Sequence, residues 1–324
     1  MYKSRLWIWV VVILFAGGIK LFPKVISSLP ESHTYNVYLD VSDNETRSKA
    51  TDTSYVTKSN FNVSYSINGS DLIIKDHEEA SSIDGYKKYE KCLSSPIVMY
   101  AQDTNSSYSG FRTTNSNETA PVDKDFSVIL DAVENGKTYG EIGLGNLKED
   151  EPVKLMIPNR SLPSYHAVED LFYAALNNGV MPDEQRRAEL AERVESLMGK
   201  CIQSDSVKTK INEAFEMKDR KNPKDTLFID TESICLYSST AFDPSSQYTD
   251  KVYYPVYTIP STAVYYDVFI RENLATEQPE TKVKDADYIF SQFADSNFAD
   301  MIGLRINGSF SCGGSVINQI QTVN

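Results

Sequence analysis

The chain has 324 residues and carries 32 basic against 45 acidic side chains, a formal charge of −13. No Lys/Arg cluster is interleaved with aromatics, so nucleic acid is not an expected partner. A content of Tyr, Phe, Val and Ile sufficient for a real core excludes a disordered chain and points to one large domain or two lobes.

At the start, Lys3 and Arg5 precede an apolar run from Leu6 to Ile19, which extends past Lys20 to Phe22. As a helix, these roughly 17 residues reach about 25 Å against about 30 Å of hydrocarbon, enough with snorkelling flanks for one span. Leu14-Phe15-Ala16-Gly17-Gly18 is a poor cleavage site, so the expectation is an uncleaved signal anchor over residues 1–30. Basic residues before the run leave the N-terminus in the cytoplasm and the bulk of the chain extracytoplasmic, at the cell membrane.

Alternation predicts strands in "TYNVYLDVS" and "NFNVSYSI", with "DLII" as a short third. "EEASSIDGYKKYEKCL" reads as a loop with a helical turn, and "SSPIVMYAQ" as a buried strand. Residues 103–121 are a Ser/Thr/Asn-rich loop. Residues 123–135 predict a helix with Phe126, Ile129, Leu130 and Val133 on one face. "VKLMI" predicts a strand, the polar "PNRSLPSYH" a loop, and residues 165–176 a helix on Val168, Leu171, Phe172 and Ala175. Residues 182–201 form the clearest helix, with Asp183 and Glu184 at the positive end of its dipole and a stripe from Leu190 to Cys201. A shorter helix follows near 206–217, then "TLFIDTESICLYS" as strand and break. "KVYYPVYTIP" and "AVYYDVFIR" predict two further strands, and "DADYIFSQFADSNFADMIG" a closing helix. Strands alternating with helices predict an α/β class with largely parallel sheets.

Enzyme patterns are absent: His33, His77 and His166 sit in no HExxH or metal-ligand spacing, and no G-x-S-x-G elbow occurs. The reading is therefore of a protein that is not an enzyme and uses no cofactor or metal; "DHEEAS" around His77 reads first as a solvated loop. Sequons at Asn44, Asn62, Asn68, Asn105, Asn117, Asn159 and Asn307 are what polar surface loops generate anyway. Cys92, Cys201, Cys235 and Cys312 lack CxxC spacing, and both their pairings and four free thiols stay open. Several strands instead lead into pairs such as Ser81-Ser82, Ser94-Ser95, Ser161 with Ser164, and Thr231-Glu232-Ser233. At the strand ends of an open α/β sheet, such hydroxyls and helix-start N–H groups hold polar ligands, although serine also caps helices routinely.

In order, "CLSSPIVMYAQ", "VKLMIPNRSLPSYHAVEDLFYAAL", "FIDTESICLY", "VYYPVYTIPSTAVYYDVFI" and "ADYIFSQFADSNFADMIGLR" resemble bacterial extracellular solute-binding proteins of the two-lobed molybdate- and sulfate-binding type. The resemblance covers roughly residues 90–305. It implies a periplasmic-binding-protein-like fold with two hinge-linked sheets, preceded by one transmembrane helix. Lobe 1 would be 31–96 plus 262–324 and lobe 2 would be 97–261. The implied function is capture of a small polar or anionic solute in an interlobe cleft for uptake or sensing, with a transporter permease or envelope protein as partner. The alternative is an envelope structural or interaction protein that keeps the fold without ligand. Ser94, Ser95, Ser161, Ser164, Tyr165 and Glu232 are the implied cleft contacts, although Tyr165-His166 stands where the family carries a small glycine. Were disulfides to form, these lobes would pair Cys201 with Cys235 and Cys92 with Cys312.

Overall fold

The computed structural model describes residues 34–41, 60–102, 123–143, 150–216, 226–236, 253–272, 285–296 and 298–307. The expected anchor, the Ser/Thr/Asn-rich loop and Cys312 lie outside them. Among the described residues, no helix is long and apolar enough to cross a membrane.

The architecture is mixed α/β, an 11-stranded sheet with helices. The strands are β1 (Tyr35–Asp40), β2 (Phe61–Ser64), β3 (Leu72–Asp76), β4 (Tyr86–Gln102), β5 (Asp123–Asp125), β6 (Lys154–Pro158), β7 (Ile202–Ser204), β8 (Thr226–Thr231), β9 (Tyr253–Ile259), β10 (Ala263–Arg271) and β11 (Arg305–Ile306). The helices are α1 (Phe126–Asn135), α2 (Pro163–Leu176), α3 (Glu184–Lys200), α4 (Val207–Glu216), α5 (Ala286–Asp295) and the short α6 (Phe298–Met301).

β4, at 17 residues, organises the sheet. Its first part runs antiparallel to β10 from Tyr86 to Pro96, and to β11 at Leu93 and Ser94. Its second part runs antiparallel to β8 from Ile97 to Tyr100 and to β9 from Val98 to Gln102. Partners change beside Pro96, a residue with no N–H to donate, and the next amide, Ile97, donates to Thr262 O at 2.8 Å. β1 and β3 are parallel, as are β6 with β7 and with β8. The sheet is thus mixed, not largely parallel, because β4 and β10 oppose their neighbours. The expected helical turn before Cys92 is also corrected: Tyr86–Leu93 is strand, and the turn is confined to a 3₁₀ segment, His77–Glu79. Lys and Glu there have ordinary helix propensity, but β10 offers a ladder that local preference cannot outweigh.

Helices form where apolar spacing and capping agree. α3 opens on Asp183, whose carboxylate accepts from the Arg186 amide at 2.8 Å, and buries Leu190, Val194, Leu197 and Met198. α1 buries Phe126, Ile129 and Leu130, and ends at Gly136 with φ of 65°, a left-handed cap that glycine adopts without strain. Phe126 meets Phe172 of α2 edge-on at 5.5 Å, while Phe61, Phe293 and Phe298 cluster at 5.5 to 5.9 Å between β2, α5 and α6.

Among the described charged residues, Asp267 is the most deeply buried. Asp267 of β10, fully buried at a register shift against β4, accepts from the Lys91 amide at 2.8 Å and from His77 Nδ1 at 2.8 Å, with Lys88 Nζ at 3.0 Å. Burial pushes its carboxyl up, but the Lys91 amide, Lys88 and His77 outweigh that and hold it below the usual range. A depressed folded value means this stabilisation is complete above about pH 4 and is lost as pH falls through the folded value.

Asp267→Asn should therefore lower stability by about 2–3 kcal/mol near neutral pH, with the gap to the parent narrowing on acidification; urea titrations at pH 7 and pH 3.5 check both. Cys92 and Cys201 are free and buried, and burial pushes each thiol up to about 12. Neither pairing implied by the lobes is present at these two residues. Site-resolved alkylation at pH 8 should leave both unmodified in the native protein and label both in denaturant.

Candidate functional site

The parallel strands β1 and β3 end at Asp40 and Asp76, and β6, β7 and β8 end at Pro158, Ser204 and Thr231. The segments just beyond these ends meet around one cavity of about 270 Å³. Val41 follows β1, Asp76 closes β3, and Leu162-Pro163-Ser164 follow β6 at the start of α2. Asp205 to Lys208 lead from β7 into α4, and Asp230, Thr231 and Ser233 surround the end of β8. This is the crevice outside carboxyl strand ends where open α/β sheets hold ligands.

α2 begins without a side-chain cap: its N-cap is Leu162, and Pro163 at the first turn has no N–H. The next residue, Ser164, is 8% exposed and lines the cavity. Its hydroxyl takes part in no hydrogen bond among the described residues. It is left open to whatever fills the cavity. α4 opens on Ser206, whose Oγ accepts from the Thr209 amide at 3.2 Å. Asp76, Asp230 and Lys208 are buried in the lining, at 3%, 6% and 6% exposure. Leu39, Val41, Val264, Ile302 and Leu304 give the cavity its apolar wall.

The remaining residues named from the sequence lie elsewhere. Ser161 is exposed in the turn before α2, donating to Asn159 Oδ1 at 2.5 Å. Tyr165 is buried on another side of α2, where its phenol accepts from Arg160 Nε at 3.1 Å. Ser94 and Ser95 are buried within β4. The Ser94 hydroxyl donates to Asn307 Oδ1 at 2.6 Å, and Ser95 Oγ accepts from the Ser233 amide at 3.1 Å. These two serines tie strands together and do not line the cavity.

Glu232 stands beside the cavity, at the start of the 3₁₀ turn Glu232–Leu236, and is engaged on both oxygens. Arg305 Nε donates to its Oε2 at 2.7 Å, Arg305 Nη2 and the Tyr257 hydroxyl donate to its Oε1, and Arg305 Nη2 reaches Tyr257 Oη at 2.8 Å. Burial works against the Arg305 charge, but Glu232 more than restores it, and burial together with Glu232 pushes the Tyr257 phenol up. The group ties β11, β8 and β9 one residue beyond Leu304 of the apolar wall. Sequence reasoning did not place Asp76, Asp230 or Lys208 at a ligand site; for the two aspartates the signal was a charged residue ending an apolar strand, visible in "LIIKD" and "LFIDT", whereas Lys208 in the first turn of α4 carried none.

No family model matches the chain and no curated protein is similar to it. Solved structures that the chain matches include a sulfate-bound mutant OxyR2 regulatory domain from Vibrio vulnificus, at 7% identity and TM-score 0.34, covering 84% of this chain and 96% of that one. A reduced OxyR from N. meningitidis is 9% identical at TM-score 0.33, covering 86% and 100%. The regulatory domain of MetR, a LysR family regulator from N. meningitidis, is 10% identical at TM-score 0.33, covering 86% and 100%. Those chains are named as regulators and not as transport proteins, so the expectations of a membrane-anchored solute-binding protein, of its envelope alternative, of a permease partner and of the exclusion of nucleic acid find no support among them and are withdrawn. A likeness this distant transfers neither activity nor partner, and the function rests on the site itself.

Proposed function

We propose that this protein is a small-molecule-sensing module that takes its ligand into the cavity at the convergent strand ends. The observation that carries the reading is Ser164: a residue 8% exposed whose hydroxyl has no protein partner, at an uncapped helix start, on the wall of a cavity of about 270 Å³. That volume lies just below the range of drug-sized pockets and suits a smaller metabolite. In this reading the two groups of strands that share β4 act as two lobes of a periplasmic-binding-protein-like arrangement, with the change of partners at Pro96 and Ile97 as the hinge. Ile302 and Leu304 touch the cavity next to Arg305, so an occupant bears on the segment that Arg305 fastens to Glu232. That link favours sensing, in which occupancy alters how β11 is held. In this reading the module binds without turnover: among the described residues, the ionisable groups on the wall are three carboxylates, one ammonium and the Tyr266 phenol, and the His77 imidazole is engaged by Asp267.

A thermal-shift screen of the whole protein against amino acids, amines, organic acids and sugars should find a compound raising Tm by about 5 °C or more at hundredfold excess over Kd. Ser164→Ala should reduce that shift and Ser161→Ala should leave it unchanged. Equal loss in both variants, or no stabilising compound together with no co-purifying small molecule in native mass spectrometry, would overturn the reading.

A further inference from the structure

The sequence contains four Asn-Gly pairs, Asn68-Gly69, Asn135-Gly136, Asn178-Gly179 and Asn307-Gly308. In such a pair the backbone nitrogen that follows asparagine can attack the side-chain carboxamide, because glycine has no Cβ to shield it. The reaction needs an amide nitrogen free of other bonds and a carboxamide able to turn towards it. The fold withholds one or both at three of the pairs. Gly136 N–H donates to Ala132 O at the end of α1, and the Asn135 carboxamide donates to Asp131 Oδ1 at 2.7 Å. Gly179 N–H donates to Ala174 O at 2.9 Å, just past α2. The Asn307 carboxamide is held at both ends, accepting from the Ser94 hydroxyl at 2.6 Å and donating to Lys91 O at 2.9 Å.

Asn68-Gly69 differs on each count. The pair forms the centre of a turn between β2 and β3, closed by Ser70 N–H donating to Ile67 O at 3.2 Å. Gly69 has φ of 87° at the third place of that turn, which type II turns reserve for glycine or asparagine. The turn's own hydrogen bond therefore leaves the amide between the two central residues unused. Among the described residues, neither Gly69 N–H nor the Asn68 carboxamide makes a hydrogen bond. Both residues are exposed, and beyond its chain neighbours no atom lies within 4 Å of the position a Cβ would take on Gly69.

We propose that Asn68 is a self-modification site, selected by the fold from the Asn-Gly pairs, at which the carboxamide is converted without an enzyme to a carboxylate. The Gly69 nitrogen bonds to Asn68 Cγ, the Cγ–Nδ2 bond breaks, and ammonia leaves with the proton that the nitrogen gives up. Water then opens the cyclic imide. Cleavage at Cγ leaves an aspartyl residue, and cleavage at the backbone carbonyl leaves an isoaspartyl residue with an extra carbon in the main chain. Either product adds a negative charge to the turn. The isoaspartyl form also lengthens a turn whose far side is pinned. Ser70 is wholly buried with its Oγ donating to Ser66 O at 2.6 Å, the Tyr86 hydroxyl donates to Ser70 O at 2.7 Å, and Asp71 accepts from the Asn36 amide at 2.8 Å. The turn precedes Leu72 at the start of β3, whereas the cavity lies at Asp76, so the site is independent of the sensing reading.

The test is incubation of the native full chain at pH 8 over days, with peptide mapping by mass spectrometry following each pair through the replacement of NH by O. Electron-transfer fragmentation separates the isoaspartyl from the aspartyl product. Asn68 should convert severalfold faster than Asn135, Asn178 and Asn307. In guanidinium chloride the four rates should converge, because only the fold distinguishes the pairs. Asn68→Gln should abolish conversion at that position and leave the other three rates unchanged, with circular dichroism showing that the variant folds. The isoaspartyl fraction, separated on ion exchange by its added charge, should melt below the fresh protein. The proposal fails if Asn68 converts no faster than the other three in the native chain. It fails equally if Asn68 keeps the same lead in denaturant, which would make the preference one of local sequence and not of the fold.

Discussion

β4 is hydrogen-bonded on both edges over much of its length, to β10 and β11 before Pro96 and to β8 and β9 after it. Each group of strands completes its ladder on a part of the same strand, so the position of β4 sets the position of everything else. Its residues Leu93, Ile97, Val98, Met99 and Tyr100 are almost wholly removed from water. Consecutive strand residues point to opposite faces, so β4 is covered on both faces from Ile97 to Tyr100. The Tyr100 hydroxyl, donating to Thr231 O at 2.5 Å, further pins β4 to the end of β8, where the cavity begins.

The helices were legible because their information is local. α2 and α3 show apolar residues at helical spacing, and α3 adds an acidic N-cap. β4 was half hidden because what makes "YKKYEK" a strand is β10, with Lys91 and Asp267 in contact across 176 positions. The short β5, β7 and β11 were missed for the same reason: two or three residues carry no period of their own and become strands through their neighbours. Parallel order was over-read from the alternation of strands and helices, since a local pattern does not say that β10 inserts between β3 and β4.

For the site, hydroxyls near strand ends could be named from sequence, but not which of them are used up. Ser94 and Ser95 differ from Ser164 only through Asn307 and the Ser233 amide, supplied from far along the chain. The buried charges were less visible still. A polar residue ending an apolar strand reads as a boundary marker, and only the convergence of β3, β8 and α4 makes Asp76, Asp230 and Lys208 the walls of one space.

The place of β10 between β3 and β4 has a consequence during synthesis. β3 and β4 are made early and lie close in sequence, yet neither can pair directly with the other, because both wait for a strand that ends at Arg271. Until then the nascent chain carries apolar segments such as "DLII" and "PIVMY" with open backbone edges, which is the state most open to mispairing with other chains. Long-range closure of this kind is also slow. The sheet thus waits on synthesis of β10, and a product stopped before Ala263 would lack the strand that joins β3 to β4.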